Sequence, residues 1–177
     1  MQTAVFIATS LDGYIARPDG TLDWLLRPEY SPDEEDFGYA DFIATVSCVV
    51  MGRHTFEQVL SFDDWFYHGK RVVVISRSKA AVPDGFAHDA ESFVGSLDDL
   101  MQQLQDQGET RLYIDGGQLI QSCLSVDLID EMIITRVPVL LGSGRPLFGA
   151  LPADLKFQHQ HTQAYANGLV QSHYRRR

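Results

Sequence analysis

The chain contains the run Cys48-Val49-Val50-Met51-Gly52-Arg53-His54-Thr55-Phe56-Glu57, in which an apolar segment meets a glycine and then a basic segment. The apolar residues are typical of a buried strand, and the glycine lets the backbone turn without a clash at Cβ. A helix is predicted to begin at Arg53, and the free backbone N–H groups of a helix start bind anions. The run therefore predicts a strand–turn–helix unit whose corner is either an ordinary turn or a phosphate-binding site.

Apolar segments of strand length alternate with helical segments along much of the chain. Strands are predicted at residues 4–8, 48–51, 71–76, 111–115 and 128–135, and helices at 53–60, from Ser96 to near Gly108 and from Gly117 to about Leu124. Ser31-Pro32-Asp33-Glu34 has the form of a capping box, so another helix is predicted from there to about Thr45. The alternation predicts an α/β sheet with helices on both faces.

The sequence pattern near the C-terminus predicts two strands that are joined by a tight turn rather than through a helix. Residues 156–163 and 169–175 are expected to form an antiparallel hairpin around Asn167-Gly168. Because the other strands are joined through helices, the sheet should be mixed and mostly parallel. No internal repeat or linker is visible, so residues 1–177 are predicted to form one three-layer α/β/α domain that closes with this hairpin.

Composition excludes several classes of function. A formal net charge of −10 argues against nucleic acid as a partner, because phosphate backbones need clustered Lys and Arg. Cys48 and Cys123 form no CxxC pair and the six histidines lack ligand spacing, so no metal site is expected. No apolar run is long enough to span a membrane, and no leader segment is evident. Two thiols in apolar surroundings fit a reducing compartment, and a cytoplasmic location is expected.

Several polar turns come directly after predicted strands. The carboxyl ends of parallel strands lie at one edge of a sheet, where open α/β sheets bind ligands. The segments expected to converge there are Ala8-Thr9-Ser10, Gly52–Thr55, Ser76-Arg77-Ser78, Asp115-Gly116-Gly117 and Thr135. Two separate arginine corners and a bare glycine pair suit a ligand with two phosphate sites, such as NADPH. Each segment alone is also compatible with an ordinary turn, and the chain has neither a GxGxxG nor a GxxxxGK[ST] fingerprint.

Six motifs occur together in one order. They are Ser10–Ala16 after the first strand, Val50–Glu57, Val74–Arg77, Ile114–Ile120, Asp130–Val139 and Leu141–Phe148. In this order they resemble the dihydrofolate reductase fold, and most of all the reductase domain of the bifunctional deaminase-reductase of riboflavin biosynthesis. The resemblance covers the chain to about Phe148.

The resemblance implies an NADPH-dependent reductase that forms a homodimer. It places phosphates at Gly52, Arg53, His54 and Thr55, with Arg53 near the adenosine 2′-phosphate, and the adenosine end at Ser76, Arg77 and Ser78. It places the pyrophosphate at Gly116, Gly117, Gln118, Leu119 and Ile120, and the nicotinamide beside Ala8 and Ile15. It also implies a cis peptide between the two glycines.

Three residues are candidates for catalysis. Asp36 lies sixteen residues before Gly52, as the substrate carboxylate does in the dihydrofolate branch, but an acidic residue there also complements a helix dipole. Asp115 ends an apolar strand where that branch carries an aliphatic residue, which weakens the case for folate as substrate. Asp115 could bind substrate, donate a proton or cap the strand end. Thr135, on an adjacent strand, is expected to face the same pocket.

The predicted function is hydride transfer from NADPH to a small pterin- or pyrimidine-like heterocycle, with 5-amino-6-(5-phosphoribosylamino)uracil reductase as the specific candidate. The chain carries no deaminase segment, so a stand-alone reductase or a paralogue with another substrate is expected. Dihydrofolate reductase is an alternative within the same class. A non-catalytic NADP-binding regulatory module and an oligomeric scaffold without cofactor are alternatives from other classes.

Overall fold

The computed structural model describes residues 1–31, 35–62, 65–86 and 89–177. The strands and helices of these residues are β1 (Gln2–Ser10), β2 (Tyr14–Ala16), α1 (Tyr39–Ala44), β3 (Cys48–Gly52), α2 (Arg53–Val59), β4 (Arg71–Ser76), β5 (Ala90–Val94), α3 (Leu97–Asp106), β6 (Arg111–Asp115), α4 (Gly117–Ser125), β7 (Glu131–Val137), β8 (Arg145–Pro146), β9 (Phe157–Ala164) and β10 (Val170–Arg176).

Eight strands form one sheet in the order β5-β4-β3-β6-β1-β7-β10-β9, and β2 pairs with β8 in a small second sheet. Strands β1, β3, β4, β5, β6 and β7 run parallel, whereas β10 is antiparallel to both β7 and β9. This arrangement confirms the mostly parallel mixed sheet and the closing antiparallel hairpin.

Each face of the sheet packs against two helices, because successive side chains of a strand point to opposite faces. On one face, Val50 and Ile114 join the apolar residues of α3 and α4. On the other face, Val49 and Met51 join those of α1 and α2. The two separate cores confirm the three-layer α/β/α prediction.

The topology places a crevice between β3 and β6. From β3 the chain passes through α2 to β4, and from β6 it passes through α4 to β7, on the other side of the sheet order. Helices α2 and α4 lie on opposite faces, so they diverge above the carboxyl ends of these two neighbouring strands. Such a switch point is where open α/β sheets bind ligands.

The helix predicted from Ser31 is wrong in its extent. Pro32, Asp33 and Glu34 lie outside the described residues, and α1 begins only at Tyr39. Phe37 and Gly38 have φ angles of 56° and 81°. These left-handed conformations cannot continue a right-handed helix, so the helix begins after them.

Other boundaries also differ from the sequence-based prediction. The strand predicted at 128–135 starts at Glu131 and extends to Val137, and β1 is longer at both ends than 4–8. Strand β5 was not predicted, because its residues are mostly half-exposed at a sheet edge and show no buried apolar run. The motif Leu141–Phe148, for which no strand is predicted, contains the two residues of β8.

Candidate active site

The two glycines after β6 lie in close contact with two other predicted site residues. Gly116 packs so tightly against Thr55 that a Cβ atom would collide with the threonine hydroxyl, and a Cβ on Gly117 would lie 2.5 Å from Cδ1 of Ile15. Gly116 makes the turn with φ 94°. The structure therefore brings together residues of α2, β2 and the start of α4.

The peptide between Gly116 and Gly117 is trans, since the described residues include no cis peptide bond. The cis peptide implied by the resemblance is therefore a wrong expectation for this structure. The left-handed φ of Gly116 accomplishes the change of direction between β6 and α4.

The start of α4 has free hydrogen-bonding capacity. Gly116 precedes the helix and provides no side-chain cap. The N–H of Ile120 donates to the carbonyl of Gly116 at 2.9 Å, so the N–H groups of Gly117, Gln118 and Leu119 come before the first intrahelical bond. The side chains of Leu119 and Ile120 are buried in the core and hold the helix in place.

The ends of β3 and β4 also meet. Nη1 of Arg53 donates to Oγ of Ser78 at 3.3 Å, and Ser76 Oγ donates to the carbonyl of Ser78 at 2.6 Å. A Cβ on Gly52 would meet nothing within 4 Å, so the corner beside Arg53 is open. Because Arg53 directly follows β3 and Ser78 lies just after β4, their contact supports a shared anion-binding corner.

The remaining charged groups of this corner are exposed. Glu57 Oε1 lies 3.5 Å from Arg53 Nε, and Glu57 Oε2 lies 3.5 Å from His54 Nδ1. Arg77 is exposed next to Ser78. An anion that binds here would compete with Glu57 for Arg53, in an exposed setting where ion pairs contribute little to stability.

Asp115 is held at both carboxylate oxygens. Oδ2 accepts a hydrogen bond from the hydroxyl of Tyr67 at 2.8 Å, and Oδ1 accepts one from the N–H of Gly116 at 2.8 Å. Burial raises the pKa of Asp115 above its ordinary value, and the hydrogen bonds from Tyr67 and Gly116 oppose this shift. Asp115 is thus a half-buried carboxyl group at the crevice, a setting typical of functional sites.

Three tyrosines, Tyr39, Tyr67 and Tyr113, lie around Asp115. Tyr113 lies two residues earlier in β6, and its hydroxyl donates to the carbonyl of Phe6 at 2.9 Å. Tyr39 begins α1, and its ring centroid lies 5.6 Å from that of Phe6. Burial, followed by the negative charge of Asp115, raises the pKa of Tyr39, Tyr67 and Tyr113. These hydroxyls are therefore neutral hydrogen-bonding groups at ordinary pH.

Thr135 lies beside Ala8 in the sheet and contacts a residue that the sequence did not indicate. Ala8 and Thr135 are register partners in β1 and β7. Nε2 of Gln171 donates to Thr135 Oγ1 and to the carbonyl of Phe37, at 3.0 Å each, and both Thr135 and Gln171 are 4% exposed. This network fixes Thr135 and ties the segment before α1 to the sheet.

Asp36 is exposed and caps α1. Its two carboxylate oxygens accept the N–H groups of Gly38 at 2.9 Å and Ala40 at 2.8 Å, and these hydrogen bonds, that of Ala40 first, lower its pKa. Among the described residues no hydrogen bond joins Asp36 to Asp115 or Thr135. The geometry supports the capping role, and a substrate role for Asp36 stays a prediction.

Trp24 is a second residue that sequence patterns did not single out. It is fully buried and packs in a small cluster with Ala8, Phe37, Val137 and Leu169. Its indole N–H has no hydrogen-bond partner among the described residues. A buried donor without an acceptor is costly.

Hydrogen bonds of Asp12 fix the turns near β2. The carboxylate of Asp12 accepts the Ser10 hydroxyl at 2.6 Å and the N–H groups of Leu141 and Gly142 at 3.1 and 2.8 Å. Asp12 thereby joins the loop after β1 to the loop that leads into β8. This link places Ile15 against Gly117, at the border of the crevice.

Comparison with known proteins places the fold and the motifs in one family. Residues 3–171 match the model of the RibD C-terminal domain. Uncharacterized protein YwjB of Bacillus subtilis (strain 168) is 37% identical over 176 residues, which cover 98% of this chain and 97% of that protein. The family match confirms the resemblance drawn from the six motifs.

Two solved structures are similar to this chain. The crystal structure of a candidate riboflavin biosynthesis protein from Shewanella sp. PV-4 matches with a TM-score of 0.93 at 44% identity, covering 100% of this chain and 99% of that chain. A diaminohydroxyphosphoribosylaminopyrimidine deaminase/5-amino-6-(5-phosphoribosylamino)uracil reductase from Thermotoga maritima matches with a TM-score of 0.72 at 17% identity, over 99% of this chain and 56% of that chain. The second likeness shows the fold alone.

The described residues lack two further kinds of feature. None of their helices is long and apolar enough to cross a membrane. They also contain no group of three or more His, Cys, Asp or Glu side chains arranged to hold a metal ion.

Proposed function

The chain belongs to the RibD C-terminal domain family, and from that premise we propose that it is an NADPH-dependent reductase of a small, pyrimidine-like heterocycle. The observation that supports this most directly is the position of Asp115. A half-buried carboxyl group at the topological switch point lies next to a glycine turn that leaves backbone N–H groups free. A carboxyl group in this position suits the recognition of a heterocycle, and the N–H groups beside it suit phosphates.

The described residues fit NADPH in three respects. The corner at Gly52 is open and carries the Arg53–Ser78 contact, which suits the adenosine 2′-phosphate. The uncapped start of α4 suits the pyrophosphate. The orphaned indole N–H of Trp24, packed with Ala8, suits a carbonyl acceptor at the nicotinamide end.

The chain itself would bind and orient the two molecules, because NADPH, when bound, would supply the hydride. Gly116 and Thr55 hold the start of α4 against α2, and Ile15 closes the border of the crevice. Asp115 would accept N–H groups of the heterocycle or deliver a proton. Both tasks suit a carboxyl group whose pKa is raised by burial.

The relatives as well as the site support the proposed substrate class. The Shewanella protein, named for riboflavin biosynthesis, shares 44% of its residues with this chain. A pyrimidine with ring and exocyclic N–H groups offers donors that a carboxylate accepts. We therefore propose the reduction of a ribosylaminopyrimidine, with 5-amino-6-(5-phosphoribosylamino)uracil reductase activity as the specific candidate.

The direct test is a hydride-transfer assay with the purified chain. We expect NADPH oxidation with a ribosylaminopyrimidine and none with dihydrofolate. Product analysis by mass spectrometry should show the gain of two hydrogens. NADPH binding without oxidation by any substrate of the panel would favour the regulatory module, and failure to bind NADPH would favour the scaffold.

Arg53 provides a test of cofactor choice. We expect Arg53→Ala to weaken NADPH binding by about 10- to 100-fold, because a charge-assisted contact to a phosphate is lost. NADH, which lacks that phosphate, should bind the variant and the wild type alike. Titration of intrinsic fluorescence measures both affinities.

The matched control is Arg175→Ala. Arg175 is exposed on β10 and pairs in register with Glu131, the first residue of β7, at the opposite end of the sheet. Its removal should leave both affinities unchanged. Equal losses for NADPH and NADH in Arg53→Ala would contradict the 2′-phosphate assignment.

A further inference from the structure

Tyr67 contacts the candidate site from a segment outside every family motif. It lies in the irregular stretch between α2 and β4 and is 4% exposed. Its ring centroid lies 5.3 Å from that of Trp65 and 6.4 Å from that of Tyr113. These aromatic neighbours fix the ring, and thereby fix the direction of the hydroxyl.

The hydroxyl of Tyr67 and the N–H of Gly116 together bind both carboxylate oxygens of Asp115. The N–H of Gly116 binds one carboxylate oxygen, and the Tyr67 hydroxyl binds the other, both at 2.8 Å. With only one of these bonds the carboxyl group could rotate about its terminal torsion, which has a broad energy minimum. With both, its plane is fixed, and the Tyr113 hydroxyl interacts with the same carboxylate from within β6.

Only tyrosines face Asp115 among the titratable groups described around it. Tyr39 comes from α1, Tyr67 from the segment before β4, and Tyr113 from β6 itself. Within the described residues, no ion pair to Arg, Lys or His is formed by Asp115. Neutral donors must therefore offset the cost of removing its negative charge from water.

We propose that Tyr67 is a positioning residue that holds Asp115 in one orientation and in its ionised form, ready to accept N–H groups of the bound heterocycle. This inference rests on the proposed function. It assigns Asp115 the role of a hydrogen-bond acceptor rather than that of a proton donor. A carboxylate held in one plane can accept N–H donors from the edge of a substrate heterocycle.

The kinetic test is Tyr67→Phe, which keeps the aromatic ring and removes the donor. We expect KM for the pyrimidine to rise by about tenfold with kcat nearly unchanged, because an interaction made in ground and transition states is weakened. The acidic limb of the pH profile of kcat/KM should move to higher pH, since the lost hydrogen bond stabilised the charged form. A purely structural role would lower activity without moving the limb.

Tyr174→Phe is the matched control. Tyr174 packs against the core on the opposite face of the sheet, so the loss of its hydroxyl should leave both KM and the pH profile unchanged. An unmoved acidic limb in Tyr67→Phe, or an equal shift in Tyr174→Phe, would overturn the proposal. If Tyr67→Phe does not fold, Tyr67→Leu serves as the second variant without a hydroxyl donor.

An NMR titration separates this inference from the proposed function. The ¹³C signal of the Asp115 carboxyl group can be assigned by its absence in Asp115→Asn. The midpoint of its pH titration can be measured without substrate. We expect a higher midpoint in Tyr67→Phe than in the wild type or Tyr174→Phe. If no pyrimidine is reduced, the proposed function fails, but the titration still tests the inference about Tyr67. A raised midpoint in Tyr67→Phe supports the coupling of Tyr67 to Asp115, and an unchanged midpoint overturns it.

Discussion

Asp115→Asn is expected to lower kcat/KM for the pyrimidine substrate by about 100-fold or more while the protein stays folded. Asparagine has nearly the same shape, so the contact with Tyr67 and the turn at Gly116 can be kept. The substitution removes the charge and one of the two acceptor oxygens that a pair of substrate N–H groups would use. Steady-state kinetics with NADPH and the pyrimidine measures the effect.

The same variant should be no less stable than the wild type at neutral pH. Burial raises the pKa of Asp115 above its ordinary value of 3.8, so the folded chain binds this proton more tightly than the unfolded chain. Wild-type stability therefore falls as the pH rises through the raised pKa. The asparagine variant lacks this cost, and its advantage should vanish when the pH falls below the ordinary value. Thermal unfolding midpoints across that range check the sign.

Loss of activity without loss of stability would distinguish a functional carboxyl group from a structural one. Asp106→Asn is the control, because Asp106 is exposed on α3 and accepts a hydrogen bond only from Gln102 among the described residues. Asp106→Asn should change neither the activity nor the stability. A fully active Asp115→Asn that unfolds at a lower temperature would show that Asp115 is a strand-end cap.

The sheet and the convergence of its turns could be predicted from sequence because both depend on short-range signals. Apolar runs of strand length mark β3, β4 and β6, and parallel strands must place their carboxyl ends together. Arg53 and Ser78 therefore meet as expected, although they are 25 residues apart. The position of Thr135 beside Ala8 follows from the same rule.

The residues that sequence patterns missed act through long-range contacts. Tyr67 and Asp115 are 48 residues apart, and Gln171 and Thr135 are 36 apart, with nothing in their neighbourhoods to indicate the pairing. The predicted start of α1 was wrong for a related reason. Asp36 and the left-handed Gly38 define that helix end, and they overrode the capping signal at Ser31.

Gly116→Ala is expected to be the most destabilising single substitution at the site, with a loss of about 3 kcal/mol or more in the free energy of unfolding. Its φ of 94° and ψ of 130° form a conformation that residues with a Cβ atom rarely adopt. The added methyl group would also collide with the hydroxyl of Thr55, which belongs to a different element. NADPH binding should weaken as well, because α4 can no longer start in its place against α2.

A comparison with Gly117→Ala separates the two causes. Gly117 has an ordinary φ, and the one atom that its Cβ would approach too closely is Cδ1 of Ile15, the end of a flexible side chain, so we expect a loss of about 1 kcal/mol. Thr55→Ala added to Gly116→Ala removes the hydroxyl but not the backbone strain, and it should therefore restore only part of the stability. Denaturant unfolding of Gly116→Ala, Gly117→Ala and the Gly116→Ala/Thr55→Ala double variant measures the free energy of unfolding lost in each. Equal losses for Gly116→Ala and Gly117→Ala would contradict the left-handed turn, and full rescue by Thr55→Ala would assign the whole cost to the collision.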